Sequence, residues 1–92
     1  MNVEEEVLLF FKSKGAIPEK REEQMSCTYL EEKLIDSMGI IEMITEFEKL
    51  FDIYFETHHM QSVEFRTIGG LVTLIENLLH EQSHGISRAH PS

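Results

Sequence analysis

Leu34-Ile35-Asp36-Ser37-Met38-Gly39-Ile40-Ile41-Glu42-Met43-Ile44-Thr45-Glu46-Phe47-Glu48-Lys49-Leu50-Phe51-Asp52 is the stretch whose reading decides the fold. Asp36 suits a helix N-cap, because its short acceptor side chain can take a backbone N–H that the first turn leaves unpaired. Ile40, Ile44, Phe47 and Phe51 then recur at i, i+4, i+7 and i+11, with Met43 and Leu50 alongside. That is the spacing of one helical face. Glu42, Thr45, Glu46, Lys49 and Asp52 fall on the other side. The pattern predicts an amphipathic helix opening at Ser37, with its hydroxyl outward and its polar face in solvent.

The flanks extend this pattern. Val3, Val7, Leu8 and Phe11 predict a first helix over 3–14, with Glu4 to Glu6 at the positive end of its dipole. Gly15 is expected to stop it in the left-handed conformation, and Pro18 cannot continue it. Residues 15–36 read as a long loop with a helical turn near Tyr29 to Lys33, and such a length calls for a function or for pinning by Tyr29, Leu30, Leu34 and Ile35. Beyond Asp52, Ile53-Tyr54-Phe55 reads as an extended turn, and 58–65 as a short third helix. Thr67 then caps a last helix with Ile68, Leu71, Val72, Ile75, Leu78 and Leu79 on one face. No stretch alternates with the period of a strand. The expectation is an all-α four-helix bundle over 1–80, made of three main helices, a short third one and a long first loop, followed by a flexible tail over 81–92. The expected core is Val7, Leu8, Phe11, Leu30, Leu34, Ile40, Ile44, Phe47, Phe51, Phe55, Ile68, Leu71, Val72, Ile75 and Leu79.

Composition restricts the function classes. The chain has 92 residues, 17 acidic against 8 basic, for a net charge of −9. Such a charge repels phosphate backbones, so no nucleic-acid partner is expected, and basic protein surfaces are the natural counterpart. Residues 30–52 alone hold seven acidic and two basic residues. Cys27 is the single cysteine, which excludes an internal disulfide. The acidic start Met1-Asn2-Val3-Glu4-Glu5-Glu6 is unlike a secretory n-region, and no apolar run reaches the ~20 residues of a membrane span. A cytoplasmic monomer with no membrane span is expected.

Ser37 is the strongest chemical candidate. Free N–H groups and the positive end of the macrodipole favour a phosphate esterified at a helix start, although Asp-Ser before an apolar helix also serves simply as a cap. The stretch from Tyr29 to Met38, continued through Glu42, Glu48, Phe51 and Asp52, resembles the acyl carrier protein family, as does the order of elements over about 3–79. That family has an Asp-Ser-Leu-like motif opening an acidic second helix that ends near a Phe, then a short third helix and an amphipathic fourth. Phe65-Arg66-Thr67-Ile68 resembles the start of its last helix.

The resemblance implies that Ser37 receives 4'-phosphopantetheine from coenzyme A through a Mg-dependent phosphopantetheinyl transferase. The arm's thiol then carries an acyl group as a thioester, and the protein itself catalyses nothing. Asp36, Met38 and Glu42 would face the transferase, the acyl- or aminoacyl-loading ligase and the downstream acyl-processing enzymes, with Glu48 extending the patch. Gly39 stands where carriers of fatty-acid synthesis commonly have an acidic residue, so a stand-alone carrier of an aminoacyl group such as D-alanine is the alternative cargo class. A further alternative is a helical adaptor with unmodified Ser37 whose acidic face or methionines bind a partner. The pairs His58/His59 and His80/His84 lack a third ligand for a metal site. No sheet or Gly-x-Ser-x-Gly elbow supports Ser37 as a hydrolase nucleophile. A core lined by Met43, Ile44, Met60 and Leu71 could open to an acyl chain or be simply filled.

Overall fold

A computed structural model describes residues 2–15 and 17–84, and for Gln82 to His84 the backbone alone. Five α-helices and one 3-10 turn follow in order: α1 Val3–Lys14, α2 Arg21–Met25, α3 Ser37–Phe51, α4 Thr57–Met60, the 3-10 turn Val63–Arg66, and α5 Ile68–His84. No strand occurs among the described residues. The all-α bundle is therefore as the periodicity predicts, with an additional short helix in the first connection.

Helix ends follow local chemistry. The Asn2 side chain accepts the Glu5 N–H at 3.1 Å and opens α1. Asp52, left-handed at φ 56°, ends α3 with its N–H on the Glu48 carbonyl. The Thr67 hydroxyl oxygen accepts the Gly70 N–H at 3.0 Å, as its position before the last helix predicts. Gly15 differs from expectation: it is extended, with φ 170°, and its N–H donates to the Phe11 carbonyl. The helix stops there without a left-handed residue. At the far end α5 continues to His84, so the stretch read as a tail starts helical, and 85–92 lie outside the described residues.

The first connection is folded onto the body rather than looping free. Arg21 of α2 donates from Nε and Nη2 to both carboxylate oxygens of Glu4 on α1, each at 2.8 Å. Buried Gln24 donates to the Pro18 carbonyl at 2.9 Å. Tyr29 is fully buried, its hydroxyl donating to the Phe65 carbonyl, and Ile35 is buried too. Leu30 is 46% exposed and Leu34 only half-buried, which corrects their place in the expected core. The reason is tertiary: the hydroxyl of Tyr29 finds the Phe65 carbonyl inside, so the ring goes in and its neighbour Leu30 faces out.

Most of the expected core residues are buried, but the α3 stripe is rotated. Met43, Phe47 and Phe51 are buried, while Ile40 and Ile44 lie half-buried at the edge, as do Leu8 and Leu79. Val3, Cys27, Phe65, Leu74 and Leu78 complete the interior. Helix α5 is the hub, packed against the 3-10 turn, α1 and α2. Helix α3 meets α1 through aromatic rings: the Phe10 and Phe47 centroids are 5.2 Å apart at an edge-on angle.

Closest approach occurs at the start of α5. A Cβ on Gly69 would lie 2.7 Å from the Met25 carbonyl oxygen, and one on Gly70 2.2 Å from that of Glu64. These two glycines let α5 press against the end of α2 and the backbone of the 3-10 turn.

Candidate functional site

Ser37 is the first residue of α3 and is exposed. Asp36 before it is extended, and its Oδ1 accepts the Gly39 N–H at 2.8 Å while its carbonyl accepts that of Ile40. The N–H groups of Ser37 and Met38 belong to the set that a helix start leaves without intrahelical acceptors. Asp36 is thus a working N-cap, as its position predicts.

Beside this helix start lies a surface hollow of about 370 Å³ lined by Lys14, Lys33, Leu34, Ile35, Asp36, Met38, Gly39 and Glu42. Lys33 is left-handed at φ 61°, the sharp turn that brings the chain into α3. Lys14, from the last turn of α1, reaches Glu42 at 2.9 Å and lies 5.2 Å from the centre of the Phe10 ring. The pair is largely solvated, so its role is to fix the two helix ends rather than to stabilise the fold strongly.

The structure thus brings Asp36, Ser37, Met38 and Glu42 together around one helix end. Met38 is 69% exposed, and Ile41, which the amphipathic pattern did not single out, is 59% exposed beside it. Glu48 is set apart. It lies about 16 Å along the helix axis from Ser37, and its Oε2 accepts the Phe55 N–H at 3.0 Å. That carboxylate holds the chain as it leaves α3.

Gly39 has a packing reason of its own. A Cβ there would sit 3.0 Å from the Cβ of buried Ile35. The missing side chain lets the segment before α3 fold tightly over its first turn, so Gly39 by itself no longer indicates the cargo.

A second hollow, of about 410 Å³, lies between the first connection and the α4 region, lined by Leu30, Glu31, Met60, Gln61, Phe65 and Arg66. Met60 is partly exposed on it, whereas Met43 and Leu71 are fully buried elsewhere in the core. Among the described residues no group of three or more His, Cys, Asp and Glu is placed to hold a metal ion. His58 stands 3.6 Å from the Glu56 carboxylate, and His59 Nδ1 accepts the Glu56 N–H. The side chain of His84 lies outside the described residues. No helix among them is long and apolar enough to cross a membrane.

Cys27 is buried, with Sγ 3.6 Å from Glu32 Oε1. Burial first, and the Glu32 carboxylate second, push its thiol up to about 11. Burial also raises the Tyr29 hydroxyl. Both groups favour their neutral forms in the folded state. The Cys27 contribution is complete below the ordinary thiol value of 9.0 and is lost as the pH rises towards about 11. The urea midpoint is expected to fall over that interval, and Cys27→Ala to flatten part of the fall. Iodoacetamide at pH 8 should alkylate native Cys27 far more slowly than the urea-unfolded thiol.

No protein-family model, curated protein or solved structure matches this chain. Its functional reading therefore rests on its own residues.

Proposed function

We propose that this chain is a carrier protein of the acyl-carrier type, bearing a 4'-phosphopantetheine arm on Ser37. The observation that carries the reading is the exposed Ser37 on the first turn of α3, directly after a capping Asp36. A phosphodiester on Ser37 Oγ would lie at the positive end of the α3 dipole, next to N–H groups without intrahelical acceptors. The Ser37 hydroxyl attacks the pyrophosphate of coenzyme A, the bond to the nucleotide phosphate breaks, and the hydroxyl proton passes to a base of the transferase. The arm's thiol then holds an acyl or aminoacyl group as a thioester for partner enzymes, and the carrier itself performs no catalysis.

In this reading partner enzymes meet Asp36, Met38 and Glu42, which are exposed, as is Ile41. Glu48 contributes charge at a distance while its carboxylate holds Phe55. A net charge of −9 attracts basic enzyme surfaces over about a Debye length. Contacts of this solvated kind speed encounter and still permit release, as a shuttling carrier requires.

The test is the intact mass of the chain after incubation with coenzyme A, Mg and a broad-specificity phosphopantetheinyl transferase. Wild type is expected to gain one arm and Ser37→Ala none, with both giving the same helical circular dichroism. A wild type left unmodified by several such transferases would reject the carrier reading in favour of an adaptor. Loading of the holo form by acyl or by aminoacyl ligases then assigns the cargo class.

A further inference from the structure

Helix α4 is four residues long, Thr57–Met60, so the capping box at its start, in which the Glu56 side chain accepts the His59 backbone N–H and the His59 ring accepts that of Glu56, is a large part of what holds it. One half of that box comes from a titratable ring: the Glu56 N–H donates to His59 Nδ1 at 2.9 Å. Accepting it requires a lone pair on Nδ1, so the imidazole is neutral with its proton on Nε2. The His58 ring lies against it, with centroids 4.1 Å apart. Adding a proton to Nδ1 would set one N–H against another and, with His58 also charged, place two cations in contact.

We propose that His59 is a pH-sensitive cap, whose neutral ring holds the start of α4 and whose protonation releases that segment from the body. The charges around it permit protonation. On its own segment stand the Glu56 carboxylate and His58. The 3-10 turn packed against α4 carries Glu64 and Arg66. Glu31 of the first connection lines the hollow that Met60 borders, and Glu48 of α3 holds the Phe55 N–H next along the chain. The carboxylates attract an imidazolium and Arg66 opposes it. The Glu56 N–H selects the neutral ring by requiring a lone pair on Nδ1.

The consequence reaches the second hollow. Met60 and Gln61 form one wall of it, and buried Phe65 lies at its base. Release of α4 removes that wall and uncovers Phe65 to a partner or to water. The sign follows from the cap: it is intact where the ring is neutral and lost as the pH falls and Nδ1 takes a proton. This device is independent of whether Ser37 is modified.

Nuclear magnetic resonance of the full chain tests it. At pH 7.5 the His59 ring nitrogens should report the Nε2-protonated tautomer. Between pH 7.5 and 5.5, protection of the Glu56 amide against exchange, corrected for intrinsic rate, should fall about fivefold, the factor expected for one lost cap. The α3 amides should keep theirs. His59→Gln should hold its protection at both pH values, because a Gln side-chain oxygen accepts the same N–H without titrating. His58→Gln should behave as wild type. A Nδ1-protonated ring at pH 7.5, unchanged wild-type protection, or a His59→Gln variant that loses protection as wild type does would each overturn the proposal.

Discussion

Gly70→Ala is expected to cost at least about 3 kcal/mol, enough to leave a domain of this size largely unfolded at ambient temperature. The added Cβ would lie 2.2 Å from the Glu64 carbonyl oxygen and 2.7 Å from its Cα. Both are backbone atoms, so no side chain can swing aside. Relief requires α5 to move away from the 3-10 turn. That movement strains the Ile68 N–H bond to the Cys27 carbonyl. Gly15→Ala is the matched control. Its backbone is extended, and its Cβ would meet only the mobile end of Leu34 at 3.2 Å. It should change stability by less than about 1 kcal/mol. Urea denaturation of both variants checks the pair, and equal losses would show that the α5 contact is not as close as described.

Phe47→Ala is expected to destabilise by about 3–5 kcal/mol. Phe47 is fully buried, with its ring edge-on to Phe10 at 5.2 Å and tilted against Phe51 at 5.8 Å. Removing it empties the place where α3 meets α1, and the two helices touch there through rings. Collapse into the gap would need both helices to shift, which is why the cavity cost adds to the lost transfer energy. A loss below about 1 kcal/mol, read from the urea midpoint with an unchanged slope, would show that this face has been misplaced. Ser37→Ala offers the contrast, since an exposed first-turn hydroxyl leaves the core untouched.

Much of this architecture was legible beforehand. The bounds of α1, the Asp36 cap, the Thr67 cap and the aromatic face of α3 all follow from periods and capping chemistry that act over four residues or fewer. The rotation of the α3 stripe towards Met43 was not legible, because Ile40, Met43 and Ile44 are all apolar and only the neighbouring helix selects among them. Tyr29 and Leu30 are adjacent and both apolar enough to bury, and the carbonyl that chooses Tyr29 belongs to Phe65, far along the chain. Two adjacent glycines near a helix start, Gly69 and Gly70, are unfavourable by propensity alone. Their purpose appears only when Met25 and Glu64 are set beside them.

The candidate site divides in the same way. Asp36 and Ser37 were identifiable as cap and first helical residue because a helix start is a local event. The partner of Glu42 comes from elsewhere, Lys14 of α1, while Ile35 closes over Gly39 from four residues before it. Glu48, which the resemblance placed as an extension of that patch, has its carboxylate on the Phe55 N–H. The amino-acid order by itself determined that the chain is helical, where its main helices begin, and that Ser37 opens the acidic one. Only the tertiary structure decided which apolar residues are interior, why Gly69 and Gly70 carry no side chain, and which acidic groups are engaged within the chain. Capping and periodicity depend on near neighbours in the chain, whereas burial and close approach depend on atoms that meet only after folding.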